Sequence, residues 1–499
     1  MQWTVPTPRR FAKRTRFFIW AIAVFIAVLV GTGRQPAMAN QALHYTELEF
    51  PPLPEITIPE YTQFTLDNGL QVYLMEDHEL PLVSGTAYIY TGDRLEPGNQ
   101  VGLASIVGEV MRTGGTTTYP ANELNEFLEQ RAASVETGIG TTAGSAGFST
   151  LTEDLPDVFD RFAAVLREPA FPQEKLDLAV RQREGSIARR NDDPEEILGR
   201  EFIKLVYGET SPYARTVEYG TLNNISRDDV VSFYQQYYAP NNMMLGIVGD
   251  FDPTEMRSRI EQAFGDWQLN PDLPRRVSVG PVIQAQRSRV FMIDQPQLSQ
   301  SYVQLGHLGD TLDSPDYAAL SVVNEVLNGL GGRLVNEVRS RQGLAYLVYA
   351  YWSPQFDYPG VFIAGGQTRS EATVPFIQAT LAEIERVRTT PISPEELAQA
   401  QESVLNSFVF NFQTPGQTLS RVMRYDLYDY PEDFIFQYRR QLEAVTVEQV
   451  QQAAATHLKP EDIVTLVVGN QAAIQPPLDV LQPGSEVTQL DITIPDLQG

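Results

Sequence analysis

Between residues 60 and 250 the spacing of apolar positions changes repeatedly, and each change marks an element. From Phe64 to Leu74 apolar and polar residues alternate on either side of Asp67-Asn68-Gly69, the signature of two strands joined by a tight turn. Another strand is expected over Val83–Tyr90, then a polar loop from Thr91 to Gln100. In Gly102-Leu103-Ala104-Ser105-Ile106-Val107-Gly108-Glu109-Val110-Met111 the period becomes helical, and the stretch reads as the opening turns of a buried helix. Ala121–Ala133 is amphipathic, and the Gly-, Thr- and Ser-rich run 135–150 reads as flat strands. Helices are expected over Pro156–Arg167, Gln173–Arg190 and Pro194–Tyr207, and from Ser226, a good N-cap, to about Tyr237. Met243–Val248 is uninterrupted apolar sequence, a buried strand that ends at Gly249-Asp250.

The pattern then repeats. Pro240-Asn241-Asn242, the strand and Gly249-Asp250 align with Pro460-Glu461-Asp462, a strand and Gly469-Asn470 at an offset of 220, and Ser226 aligns with Thr446. Ser105-Ile106-Val107-Gly108-Glu109-Val110-Met111 aligns with Ser321-Val322-Val323-Asn324-Glu325-Val326-Leu327 at an offset of 216. Two ends matching at nearly one offset imply two homologous α+β domains, at 59–268 and 287–471, each a mainly antiparallel sheet with helices packed on one face. The aperiodic stretch 269–286, with Pro271, Pro274 and Pro281, reads as the linker. Residues 40–58 read as an extended leader, and the Pro- and Asp-rich tail 472–499 is expected to be loosely held.

Residues 1–39 stand apart. A basic start (Arg9, Arg10, Lys13, Arg14, Arg16) precedes an apolar run of 15 residues from Phe17 to Gly31, and Ala37-Met38-Ala39 is a small-x-small cleavage signature. Together they read as a secretory signal peptide, with export to the periplasm or an equivalent lumen; left uncleaved, the segment would tether the chain to the membrane. The mature chain keeps 31 basic and 63 acidic side chains, a net charge of −32, which argues against nucleic acid and anionic lipid as partners and is compatible with cationic peptides. With no Cys, disulfides, thiolate catalysis and Cys-ligated zinc are excluded.

Several stretches resemble the pitrilysin/insulinase-type zinc peptidases and the mitochondrial processing peptidases: Asp67-Asn68-Gly69-Leu70-Gln71-Val72, the run from Ser211 to Thr221, Tyr237 through Asp250, and Leu334 to Tyr346. The resemblance covers roughly residues 60–470 and implies two tandem domains, paired chains and a peptide chamber. Active members carry H-x-x-E-H on the opening helix, two imidazoles one turn apart for the metal and a Glu to take a proton from its water. Aligned on Gly102-Leu103-Ala104, the first His position falls at Ser105, the base at Gly108 and the second His at Glu109; the later Glu ligand falls near Ser186. All are lost. The histidines agree: His44, His78, His307 and His457 include no pair four apart and none on the opening helix, so each reads as a surface or strand-end residue. Glu109 is expected to face the cavity or pair with an Arg, and Ser105 has no His to activate it.

In the second domain Asn328-Gly329-Leu330-Gly331-Gly332 is a turn for helix packing and not a phosphate loop, because no Lys-Ser/Thr follows. Arg333–Ser340 reads as a short helix and Leu344–Tyr351 as a strand. Arg339-x-x-x-Gly343-Leu344-Ala345-Tyr346 fits the R-x-x-x-G-L-x-Y context of the non-zinc chain in paired bacterial members. The resemblance implies that Arg339 and Tyr346 contact the peptide near the scissile bond in trans, hydrogen-bonding its carbonyl. Taken by themselves, the same two residues read as a helix-end Arg and a packed Tyr. The run 135–150 reads either as an edge for peptide addition or as an edge blunted by small residues. The expected protein is a zinc-free subunit, inactive alone, whose partner is a zinc-bearing homologue that hydrolyses peptides. A scaffold without peptidase role and a metallopeptidase with substituted carboxylate ligands are the alternatives.

Overall fold

The computed structural model describes residues 57–273, 280–482, 484 and 486–495. The expected signal peptide (1–39), the leader up to residue 56 and residues 274–279 of the expected linker lie outside the described residues.

The alternating sequence around Gly69 forms β1 (Thr62–Thr65) and β2 (Gln71–Glu76), paired antiparallel across a turn in which Gly69 takes a φ of +91°. With β3 (Leu82–Ile89), β4 (Ser134–Ile139), β5 (Gly144–Leu151) and β6 (Met243–Gly249) they make a sheet in the order β1-β2-β6-β3-β5-β4, in which only β2 and β6 run parallel. The second half repeats it. β7 (Arg289–Asp294), β8 (Gln300–Leu308), β9 (Ala345–Ser353), β10 (Val361–Arg369) and β11 (Val464–Gly469) take the order β7-β11-β8-β10-β9, and β12 (Thr488–Gln489) adds to the outer edge beside β7. The register repeats too: Thr86 pairs with Gly246 in the first sheet and Gln304 with Leu466 in the second.

The first half carries α1 (Leu103–Thr113), α2 (Ala121–Gln130), α3 (Leu155–Arg167), α4 (Gln173–Arg189), α5 (Pro194–Tyr207), α6 (Tyr219–Asn223), α7 (Arg227–Tyr237) and α8 (Pro253–Phe264). The second carries α9 (Tyr317–Asn328), α10 (Thr373–Thr389), α11 (Pro394–Ser407), α12 (Pro415–Leu427), α13 (Phe434–Ala444) and α14 (Val447–His457). Apart from α5 and α12, each half packs its helices on one face of its own sheet, as the sequence implies. In the first half Val72, Leu74, Ala87 and Ile89 meet Ile106, Val110, Phe159 and Phe162 in one core. The repeated caps hold as well: Ser226 and Thr446 each accept the N–H of the third residue of their helix, in matching capping boxes.

The opposite faces are covered by exchange. Tyr73, Met75, Tyr88, Met244 and Val248 of the first sheet pack against Leu419, Met423 and Leu427 of α12, from the second half. Phe291, Ile293, Val464, Leu466 and Val468 of the second sheet pack against Ile197, Phe202, Val206 and Tyr207 of α5, from the first. Each fully buried apolar side chain contributes about 2 kcal/mol, so neither sheet is covered without its loan from the other half. Polar contacts follow the same seam: Arg94 pairs with Asp357 at 2.7 Å, and the Tyr207 hydroxyl donates to the Pro359 carbonyl at 2.7 Å.

Two segments differ from expectation. The tail is tied down: β12 pairs with β7, the Asn191 side chain donates to the Ile492 carbonyl at 2.6 Å, and Ile474 and Leu478 are buried. The apolar residues scattered among its prolines supply these anchors. The short helix after Arg333 is a π-helix over Val335–Arg341, closed where the Gln342 N–H reaches the Glu337 carbonyl five residues back at 3.0 Å.

His307, one residue from the end of β8, is fully buried; its Nδ1 lies 2.8 Å from the Leu308 carbonyl, and Nε2 accepts the Lys459 N–H at 3.0 Å. Burial favours the neutral ring and pushes its pKa down to about 4 from 6.5. The unfolded chain therefore takes up a proton near pH 6.5 and the fold only near 4, so stability is intact above that window and falls as pH drops through it, by up to about 3 kcal/mol. A His307→Gln variant, followed by urea unfolding at several pH values, is expected to show a shallower acid slope. An unchanged slope would assign the acid sensitivity elsewhere.

Candidate functional site

The opening helix α1 begins at Gly102, whose φ of +107° turns the chain sharply out of the polar loop. The buried Glu96 carboxylate accepts the N–H groups of Gly102 at 3.0 Å and Ala104 at 2.9 Å, satisfying donors that the helix start leaves open. Burial pushes its pKa up to about 7, against the opposing pull of those two N–H groups. Leu103, Ile106, Val107, Val110 and Met111 face the core. Ser105 and Glu109, four residues apart, share the half-exposed face.

That face meets α4, and the residue that meets it is an arginine. Arg183 Nη1 donates to Glu109 Oε2 at 2.8 Å, while its Nε and Nη2 donate to Ser105 Oγ at 3.3 and 3.2 Å. One guanidinium thus spans both Ser105 and Glu109, the two positions that the sequence resemblance sets against imidazoles. Ser186, one turn further along α4, is exposed and donates to the Gln182 carbonyl at 3.1 Å. Gly108, which the sequence resemblance sets against the base, has no room for a side chain. A Cβ on Gly108 would lie 2.6 Å from the Ile139 nitrogen and 2.8 Å from the Gly138 carbonyl carbon, both backbone atoms of the edge strand β4. Thr137 Oγ1 seals the contact by donating to the Gly108 carbonyl at 2.5 Å. A hydroxyl, a hydrogen and one carboxylate neutralised by arginine are not a zinc ligand set. Among the described residues no group of three or more His, Asp or Glu side chains is placed to hold a metal ion.

The expectation that Glu109 pairs with an Arg holds, and the sequence did not say which. Arg183 lies three residues before Ser186 on the same helix, but its partnership across two helices leaves no local signal. The histidines are engaged elsewhere: His78 Nδ1 sits 2.6 Å from Asp250 Oδ1 on the surface, and His457 Nε2 lies 2.8 Å from Asp316 Oδ2 at the end of α14.

Arg339 and Tyr346 are brought together with each other, and not with the Arg183 cluster. The guanidinium carbon of Arg339, on the π-helix, lies 4.9 Å from the ring centre of Tyr346, near the start of β9. Gly343 makes the turn between them with a φ of +62°, and Thr368 Oγ1 pins it by donating to the Leu344 carbonyl at 2.6 Å. Glu337 is occupied by Arg341 at 2.9 Å. Both Arg339 and Tyr346 are exposed, Tyr346 by 84%. β9 is the edge of the second sheet as β4 is the edge of the first, so the pair and the Arg183 cluster occupy corresponding borders of the two halves. A cation and a phenol held together in solvent can donate to a carbonyl or to an oxygen developing negative charge.

Known proteins share this fold. The family pattern described as "Insulinase (Peptidase family M16)" matches residues 71–214, and that described as "Peptidase M16 inactive domain" matches residues 224–404. A protein named "Uncharacterized zinc protease YmxG" from Bacillus subtilis is 24% identical, over 78% of this chain and 93% of its own length. A "Non-peptidase homolog YmxG" from Helicobacter pylori is 23% identical over 79% of this chain and 91% of its own. Among solved structures, a peptidase M16 inactive domain from Pseudomonas fluorescens superposes with a TM-score of 0.74 at 24% identity, covering 84% of this chain and all of that one. The periplasmic protease PqqL of Escherichia coli superposes at 0.69 and 16% identity, covering 90% of this chain and 50% of PqqL.

Proposed function

The chain belongs to the insulinase family, peptidase family M16, and on that premise we propose that it is a zinc-free subunit, inactive alone, that builds half of a peptide chamber with a zinc-bearing homologue. The observation that carries this reading is the Arg183 guanidinium lodged between Ser105 and Glu109, with edge-strand backbone closed over Gly108. A cation of the protein's own, paired with Glu109, stands where a metal would need two imidazoles, and Gly108 leaves no room for a further carboxylate side chain.

Arg339 and Tyr346 are this chain's contribution to the chemistry. They are exposed, held to each other and free of other duty, so they are available to a peptide that reaches the partner's metal. The likeness to PqqL supports pairing: this chain matches 50% of that protease. A relative named a non-peptidase homologue supports inactivity in isolation. The proposed location is the periplasm or an equivalent lumen, on the strength of residues 1–39 in the sequence and the likeness to a periplasmic protease. Among the described residues no helix is long and apolar enough to cross a membrane.

The test has two arms. Purified chain incubated with zinc and dialysed is expected to retain well under one equivalent; stoichiometric zinc would favour substituted carboxylate ligands and overturn the reading. Mixed with a zinc-bearing homologue, the chain is expected to form a stable pair that cleaves peptides neither chain cleaves alone. A stable pair without activity would leave a scaffold.

A further inference from the structure

The exchange of helices is not symmetric in what it fills. On the second sheet the face under α5 carries Tyr302, Gln304 and Leu466. The paired registers place Ser84, Thr86 and Gly246 at the corresponding points of the first sheet, under α12. Three large side chains are thus replaced by two small hydroxyls and a hydrogen. Met423 of α12 fills the space over Gly246, where a Cβ would lie 2.2 Å from its Sδ; beside it, over Ser84 and Thr86, lies an open cavity of about 550 Å³, within the range of small-ligand sites.

Its lining is chemically one-sided. Arg421 and Arg424, three apart on α12, form one wall, and Phe410, 63% exposed, stands among the lining residues with Phe356. No Asp or Glu lines it, in a chain with 63 acidic residues against 37 basic. Arg421 Nη2 donates to the Asn411 side chain at 2.8 Å, its Nε is buried without a partner, and Arg424 sits 5.7 Å from the Phe356 ring centre. Among the described residues neither guanidinium meets a carboxylate. Two unneutralised guanidinium groups beside hydroxyls and aromatic rings want an anion carried on an apolar body.

We propose that this cavity is a carboxylate-anchoring pocket for peptides, in which Arg421 and Arg424 bind the free C-terminal carboxylate and the Phe410 and Phe356 rings take the last side chain. It rests on the reading that this chain holds peptides, and adds an end-specific grip. The chain as a whole is acidic, 63 acidic against 37 basic residues, and so repels acidic peptide bodies and attracts basic ones; a single carboxylate on an otherwise cationic peptide suits both the chain and the pocket.

Binding of a short labelled basic peptide ending in a free Leu carboxylate, to the full chain alone, tests it by anisotropy. The free acid is expected to bind, and its C-terminal amide to bind about tenfold weaker or worse. Arg424→Gln, at an exposed position, and Arg421→Gln are each expected to weaken the free acid to a similar degree. Ser84→Tyr, which installs the side chain that the second sheet carries at Tyr302, is expected to abolish binding with the melting temperature retained. If the amide with one internal Glu binds as the free acid does, the carboxylate is recognised from a side chain. Equal binding of free acid and plain amide, no binding of any carboxylate peptide, or binding indifferent to all three substitutions overturns the proposal. The assay needs neither zinc nor a partner, so a failed reconstitution with intact carboxylate binding would indict the pairing alone.

Discussion

Replacing Gly108 with Glu, the residue that the sequence resemblance sets against it, is expected to destabilise the fold by about 3 kcal/mol or more and to confer no activity. The obstacle is the first atom of the new side chain. A Cβ would lie 2.6 Å from the Ile139 nitrogen and within 2.9 Å of two Gly138 backbone atoms, distances that no rotamer relieves. Either α1 or β4 must shift, and α1 is pinned by seven buried residues and by the Glu96 carboxylate at its start. Gly108→Ala carries the same Cβ without the charge and is expected to show most of the loss in urea unfolding. Gly138→Ala is the control: its Cβ meets nothing within 4 Å, so its effect is expected to stay within about 0.5 kcal/mol. A Gly108→Ala variant as stable as the parent would mean that the strand yields easily, and the base position would then be merely substituted rather than closed.

The second large effect is functional. In the reconstituted pair, Arg339→Ala or Tyr346→Ala is expected to lower kcat/KM about a hundredfold, the scale of losing one donor to a developing oxyanion. The fold should not notice. Both side chains are exposed, and their mutual contact is worth no more than about 1 kcal/mol. Arg339→Lys keeps the charge and loses the planar fork, so it is expected to recover little. If the two act as a unit, the double variant falls only slightly below either single one. Activity unchanged in the single variants, with the pair intact by size-exclusion chromatography, would remove the trans-acting role and leave a structural cation–π pair.

What could be read in advance follows physical range. Elements carried by local period and local punctuation were legible: Asp67-Asn68-Gly69, the capping residues Ser226 and Thr446, and the repeat at offsets 216 and 220 all act within a few residues of themselves. The want of an H-x-x-E-H spacing was legible for the same reason, since the positions of four histidines are visible in any order of folding. Arg183 was not. Its meaning depends on which face of α4 meets which face of α1, which is fixed by packing across some 75 residues of chain rather than by its neighbours. The exchange of α5 and α12 was hidden too, because an amphipathic helix declares that it will cover something without declaring whose sheet. The cavity under α12 becomes visible only when the two sheets are laid in register and Ser84 and Thr86 are found at the places that Tyr302 and Gln304 take in the second.

That exchange also sets an order of events during synthesis. When β6 has emerged, every strand of the first sheet exists, yet its Tyr73, Met75, Tyr88, Met244 and Val248 face has no cover. The cover is α12, and residues 250–414 must be translated first. At elongation speeds of about 5–20 residues per second this leaves an apolar sheet face waiting on the order of ten seconds. The nascent chain therefore spends its youth with an adhesive surface, and a holdase or a delay in folding is part of what this architecture demands of its cell.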